Sequence, residues 1–193
     1  MHRFAVLALA ALMPSAGLAQ DPTCDELWFT RNAQFHLAGY CFGSPLGQEV
    51  FGNSGCTGTD VTLSDEAQAL VGRIRQVEAE MGCAVDTSVT ALNFDMDQVP
   101  DRLALRHHPV VWFGESGCIG WRGEPAPLMS GHSGEGSRWG TIERGDMIVF
   151  GHEPVGPWEF VTVYEDPGEW RLKGIGWAAL GDWGDDKCDM YAG

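Results

Sequence analysis

The sequence predicts an α+β protein, with a small disulfide-tied helical module at the N-terminal end and a small β-barrel after it. Three observations carry this. Apolar residues recur at helical spacing up to residue 83, and from Leu103 onward the pattern changes to short β runs cut by Gly, Pro and Asp. All six cysteines, Cys24, Cys41, Cys56, Cys83, Cys118 and Cys188, follow a leader typical of exported proteins.

The leader spans residues 1–19. Arg3 precedes an apolar run from Phe4 to Met13, then Pro14 and the small residues Gly17 and Ala19. That run is too short for a membrane-spanning helix of about 20 residues. Cys24 follows Asp21-Pro22-Thr23, which is no lipobox, so the expectation is a periplasmic or secreted protein with no membrane insertion after cleavage.

In the helical module (residues 20–85), Asp25 to Ala38 reads as a first helix stopped by Gly39. A short second helix, Leu46 to Phe51, opens at Ser44-Pro45 and closes at Gly52. Thr62-Leu63-Ser64-Asp65-Glu66 supplies caps and first-turn acids to a third. There Ala67, Leu70, Val71, Ile74, Val77 and Met81 hold helical spacing up to Gly82.

Six cysteines allow fifteen complete pairings. Four precede residue 84 and two follow residue 117, so each half can close its own bonds. If the third helix runs antiparallel to the first, Cys83 arrives beside Cys24. The favoured set is Cys24–Cys83, Cys41–Cys56 and Cys118–Cys188, each contributing on the order of 3–4 kcal/mol in the loop-entropy picture. A zinc site is disfavoured, because no C-x2-C spacing and no paired-histidine motif occurs.

Residues 86–101 read as a linker with a short strand. Asp95-x-Asp97 fails as a calcium loop, since Pro100 and Arg106 stand where an EF-hand needs Gly and Glu. In residues 102–193, strands are expected at Leu103–Leu105, Val110–Phe113, Met147–Phe150, Phe160–Tyr164 and Gly176–Leu180. Turns are expected at 114–117, 131–136, 154–157 and 166–168.

Two stretches resemble known modules. Leu27-Trp28-Phe29-Thr30-Arg31-Asn32 through Gly39-Tyr40 resembles the YARHG domain, a bacterial extracellular module, over roughly residues 24–83. Arg31, Asn32, Phe35 and Gly39 match its pattern, while Leu37 and Ala38 replace its Arg and His. Pro127-Leu128-Met129-Ser130-Gly131, Ile142 to Val149, Trp158-Glu159-Phe160-Val161 and Gly176-Trp177-Ala178-Ala179-Leu180 resemble a bacterial SH3-like domain, with Met129 where that family commonly has Arg. This second resemblance implies an SH3-like β-barrel and a binding or scaffold role beside cell-wall peptides.

A net charge of −15 disfavours duplex nucleic acid and anionic membranes as partners. Arg31 and Asn32 read as a pair satisfying loop carbonyls. Gly52-Asn53-Ser54-Gly55 and Gly114-Glu115-Ser116-Gly117 are superficially similar to nucleophile loops but lack a positioned His and Asp, so both read as turns. Gly131-His132-Ser133-Gly134 misses the nucleophile-elbow spacing. His107 and His108 adjoin in a β run and point to opposite faces, a surface pair. Asp182, Asp185, Asp186 and Asp189 form an acidic tail without a ligand pattern.

Trp139, Trp158, Trp170 and Trp177 are the ligand-binding candidates, although a small barrel needs some of them in its core. No catalytic set, metal site or cofactor motif is expected. The expected function is an exported, non-enzymatic binding or scaffold protein of the cell envelope, with cell-wall peptide or glycan, peptidoglycan or an envelope protein as partner. The alternative is a small secreted hydrolase or enzyme inhibitor with an unrecognised site.

Overall fold

The structure, a computed structural model, describes residues 21–133, 136–166, 168–181 and 186–193. The expected leader (1–19), Gly134 of the glycine-serine motif, and Asp182 and Asp185 of the acidic tail lie outside the described residues.

Helix α1 (Pro22–Leu37) starts where Asp21 accepts the Thr23 N–H at 2.8 Å, with Pro22 at its first position. Helix α2 (Pro45–Phe51) is capped by Ser44, and α3 (Asp65–Met81) by Ser64 accepting from Ala67 N–H at 3.2 Å. Gly82 ends α3 in the left-handed conformation, φ 68°. Cys83 then meets Cys24 with their Cα atoms 5.4 Å apart. Arg31 of α1 reaches Glu78 of α3 at 3.0 Å, and Asn32 donates to the Trp28 carbonyl one turn back. The pair expected to serve loop carbonyls thus joins α1 to α3 and closes a helical turn.

Stacked rings fill the space between α1 and α2. Phe51 lies 5.4 Å from Phe29 and 4.8 Å from Phe42. No strand forms in 86–101. Met96–Gln98 is a 3-10 turn, α4 spans Val99–Leu103, and Leu92 and Val99 are buried in the α1–α2 core. The Leu103–Leu105 run is therefore a helix end, and Leu105 is buried against Phe160, Ile175 and Trp177.

Among the described residues, seven strands follow: β1 (Val111–Trp121), β2 (Ala126–Met129), β3 (Arg138–Ile142), β4 (Met147–His152), β5 (Glu159–Asp166), β6 (Arg171–Ala178) and β7 (Cys188–Ala192). They form one antiparallel sheet in the order β3-β2-β6-β5-β4-β1-β7. The sheet does not close, because β3 and β7 remain its edges, so the expected barrel is replaced by an open sheet. Its main core draws on all seven strands, among them Trp121, Leu128, Ile142, Ile148, Val161, Val163 and Ala178. The Cys118–Cys188 bond ties edge strand β7 to β1, and Cys41–Cys56 closes the loop around α2. These three bonds are the pairs favoured from the sequence. β1, β4, β5 and β6 overlap the expected runs, whereas β2, β3 and β7 were not expected.

The helices and the sheet share a core. Leu27 of α1 and Ile74 and Val77 of α3 pack with Val110 and Val111 at the start of β1.

Candidate functional site

The junction of helices and sheet holds a cleft of about 520 Å³. Thr23 and Glu26 of α1, Phe94 and Arg102 of the connecting segment, Trp112 of β1, Tyr164 of β5 and Trp170 line it.

Trp112 reaches the cleft through a bulge. Val111 pairs with His152 and Ser116 with Phe150, so residues 112–115 oppose the single Gly151. Gly114, at φ 92°, permits this excursion, and such bulges re-aim side chains at functional edges. The expected turn at 114–117 is thus a bulge inside β1. Trp112 is 55 % exposed. Trp170 sits in the β5–β6 connection, 61 % exposed, its ring edge-on to Tyr164 at 5.6 Å. Its φ of 53° is left-handed, and it is the one described non-glycine residue there; this costs about 1–2 kcal/mol and marks a position held for a reason other than local preference.

Charge lines the floor. Glu26 accepts from Arg102 Nη1 at 2.5 Å and bonds His152 Nε2 at 2.6 Å. Burial alone raises a carboxyl, but Arg102 and His152 outweigh it and hold Glu26 well below the usual carboxylate range. Arg102 also lies over Phe94, 5.3 Å from the ring centre, which fixes the guanidinium from a second side.

The four candidate tryptophans are not brought together. Trp170 lines the cleft. Trp139 is 37 % exposed on β3, lying against Gly176, where a Cβ would come within 2.8 Å of its indole nitrogen. Trp177 is 1 % exposed and donates its indole N–H to the His107 carbonyl at 2.7 Å, which makes it a core residue. Trp158 is half-buried against the same cluster. Trp112, Glu26, Arg102 and His152 escaped the sequence reading. For Trp112 the one usable signal was an aromatic pair directly before a glycine-bounded run, the pattern of a bulge.

Two further cavities flank the cleft. On the other side of Trp112, a pocket of about 480 Å³ is walled by Phe150 and Tyr191 and also touches Ser116, His152 and Glu159. A larger cleft of about 630 Å³ lies between the α3 start and the segment 105–110. There His107 stacks on His132 at 4.1 Å, and His132 meets Trp177 edge-on at 4.8 Å. His107 and His108 lie in a loop after α4, not in a strand, and both are half-buried, so the surface-pair expectation is corrected. Because Trp177 is already engaged within the core, this larger cleft offers no free aromatic face comparable to Trp112 and Trp170. Among the described residues, no group of three or more His, Cys, Asp or Glu is placed to hold a metal ion. Asp189 of the acidic tail pairs with Arg122 at 2.5 Å. Also among the described residues, no helix is long and apolar enough to cross a membrane.

Comparison with known families divides the chain near Cys83. The YARHG domain profile matches residues 3–79, and the profile of a domain of unknown function, DUF4453, matches residues 82–193. The half that the sequence likens to an SH3-like domain is the DUF4453 half. No curated protein and no solved structure matches the chain.

Proposed function

We propose, for a chain that belongs to the DUF4453 family and carries a YARHG domain ahead of it, that it is an exported, non-enzymatic binding protein recognising cell-wall glycan in the Trp112–Trp170 cleft. The observation that carries this reading is two exposed indoles and a tyrosine around one cavity whose floor is a fixed charged network. Indole rings offer broad apolar faces at little entropic cost. A pyranose presents a flat C–H face for them and hydroxyls for Glu26, Thr162 and Arg102 at the cleft wall. The three disulfides support an oxidising compartment, which agrees with the leader.

Co-sedimentation of the intact, oxidised protein with purified peptidoglycan sacculi tests it. Retention at moderate salt is expected, with Trp112→Ala and Trp170→Ala each weakening it at least tenfold, the scale of a central aromatic contact. Loss of retention in neither variant, or no retention of the native protein, would refute the reading.

A further inference from the structure

We propose that the pocket on the far side of Trp112 is a second saccharide subsite, which takes an uncharged pyranose whose hydroxyls, able to donate or accept, hydrogen-bond His152 Nδ1. This rests on the glycan reading of the neighbouring cleft and extends it across the Trp112 ridge, since Trp112 lines both cavities.

His152 has its role fixed by its partner. Its side chain is 8 % exposed, and its Nε2 lies 2.6 Å from Glu26. Glu26 also faces Arg102, which keeps it ionised, and an ionised carboxylate only accepts. Nε2 therefore carries a proton toward Glu26. Nδ1 is buried without a hydrogen-bond partner. Buried polar atoms are paired in nearly all folded proteins, so an orphan nitrogen in a residue that lines a cavity points to a ligand group that hydrogen-bonds it.

The rest of the lining fits the same ligand. Glu159 brings a carboxyl to the same pocket, and burial raises it above the ordinary value, so it gains from a ligand hydroxyl at hand. Phe150, Trp112 and Tyr191 supply ring faces, and Ser116 a hydroxyl. No Lys or Arg lines the pocket, so anionic ligands are disfavoured. Ser116 and His152 share this pocket without a hydrogen bond between them, so the observed arrangement is that of a receptor rather than of an activated nucleophile.

The test is calorimetric titration of the intact, oxidised protein with a soluble N-acetylglucosamine tetrasaccharide, alongside NMR of the His152 ring nitrogens in the native protein. Tenfold or greater weakening is expected for His152→Phe and for Glu159→Gln, with the native Nδ1 resonance moving on saturation. Native-like affinity in His152→Phe and a static Nδ1 resonance, with Trp170→Ala still losing affinity, would overturn the second subsite and leave the cleft reading standing. No binding by the native protein would overturn both. Release of shorter saccharides would overturn the receptor assignment in favour of hydrolysis at this pocket.

Discussion

At the residue scale, the junction depends on a hydrogen-bonded trio drawn from three elements, Glu26 of α1, Arg102 of α4 and His152 of β4. Arg102 and Glu26 form a largely buried pair, and removing one partner of such a pair leaves the other charge uncompensated, at a cost of about 3–5 kcal/mol. Arg102→Met is therefore expected to lower the melting temperature by several degrees in calorimetry. Acid sensitivity separates into two windows. Burial pushes His108 down from 6.5 to about 4, so the unfolded chain binds its proton first, and stability falls as pH drops from 6.5 toward 4. Glu26 has a depressed carboxyl, so its contribution is complete above the ordinary value of 4.5 and declines only below it. Thermal melts across pH are expected to lose the upper phase in His108→Leu and keep the lower one. A single unchanged slope in that variant would contradict the assignment. None of the trio was legible in the sequence. Glu26 stands 76 residues from Arg102 and 126 from His152, and no local pattern encodes a contact made only by tertiary packing.

At the scale of elements, legibility followed the strength of local signals. Helices α1 to α3 were readable because Ser44 and Ser64 cap and Gly39, Gly52 and Gly82 stop them. β4 and β5 were readable from compact apolar runs between strong turns. β2 alternates in burial but is only four residues long and carries Pro127, β3 has Arg138 and Gly140 among its five residues, and β7 shows four exposed residues, so none presents a clean polar–apolar alternation in its residue types. Leu103–Leu105 was ambiguous because a three-residue apolar run suits a strand or a helix end equally. Packing at α2 yields a sharp expectation. A Cβ on Gly47 would come 2.6 Å from the Phe42 ring, so Gly47→Ala should destabilise by about 1–3 kcal/mol in chemical denaturation. The edge strand β7 depends on its bond. Replacing Cys118 and Cys188 with Ser removes a cross-link spanning 70 residues, worth about 4 kcal/mol in the loop-entropy picture. Hydrogen exchange should then accelerate first in β7, before β4 and β5.

At the scale of the whole molecule, a helical module and an open sheet, tied by three disulfides, share one core through Leu27, Ile74, Val77, Val110 and Val111. The two family matches meet near Cys83, yet the cleft takes residues from both, so the proposed recognition surface belongs to the junction. The fold class was legible because period and cysteine placement are local properties of the chain. The open sheet edges were not, since closure depends on which strands pair at long range. The most direct measurement of the central claim follows the indole N–H resonances while a soluble peptidoglycan saccharide is added to the oxidised protein. The signals of Trp112 and Trp170 are expected to shift with one common dissociation constant, while the buried Trp177 stays still. Movement of Trp139 alone, or of no indole at all, would contradict it.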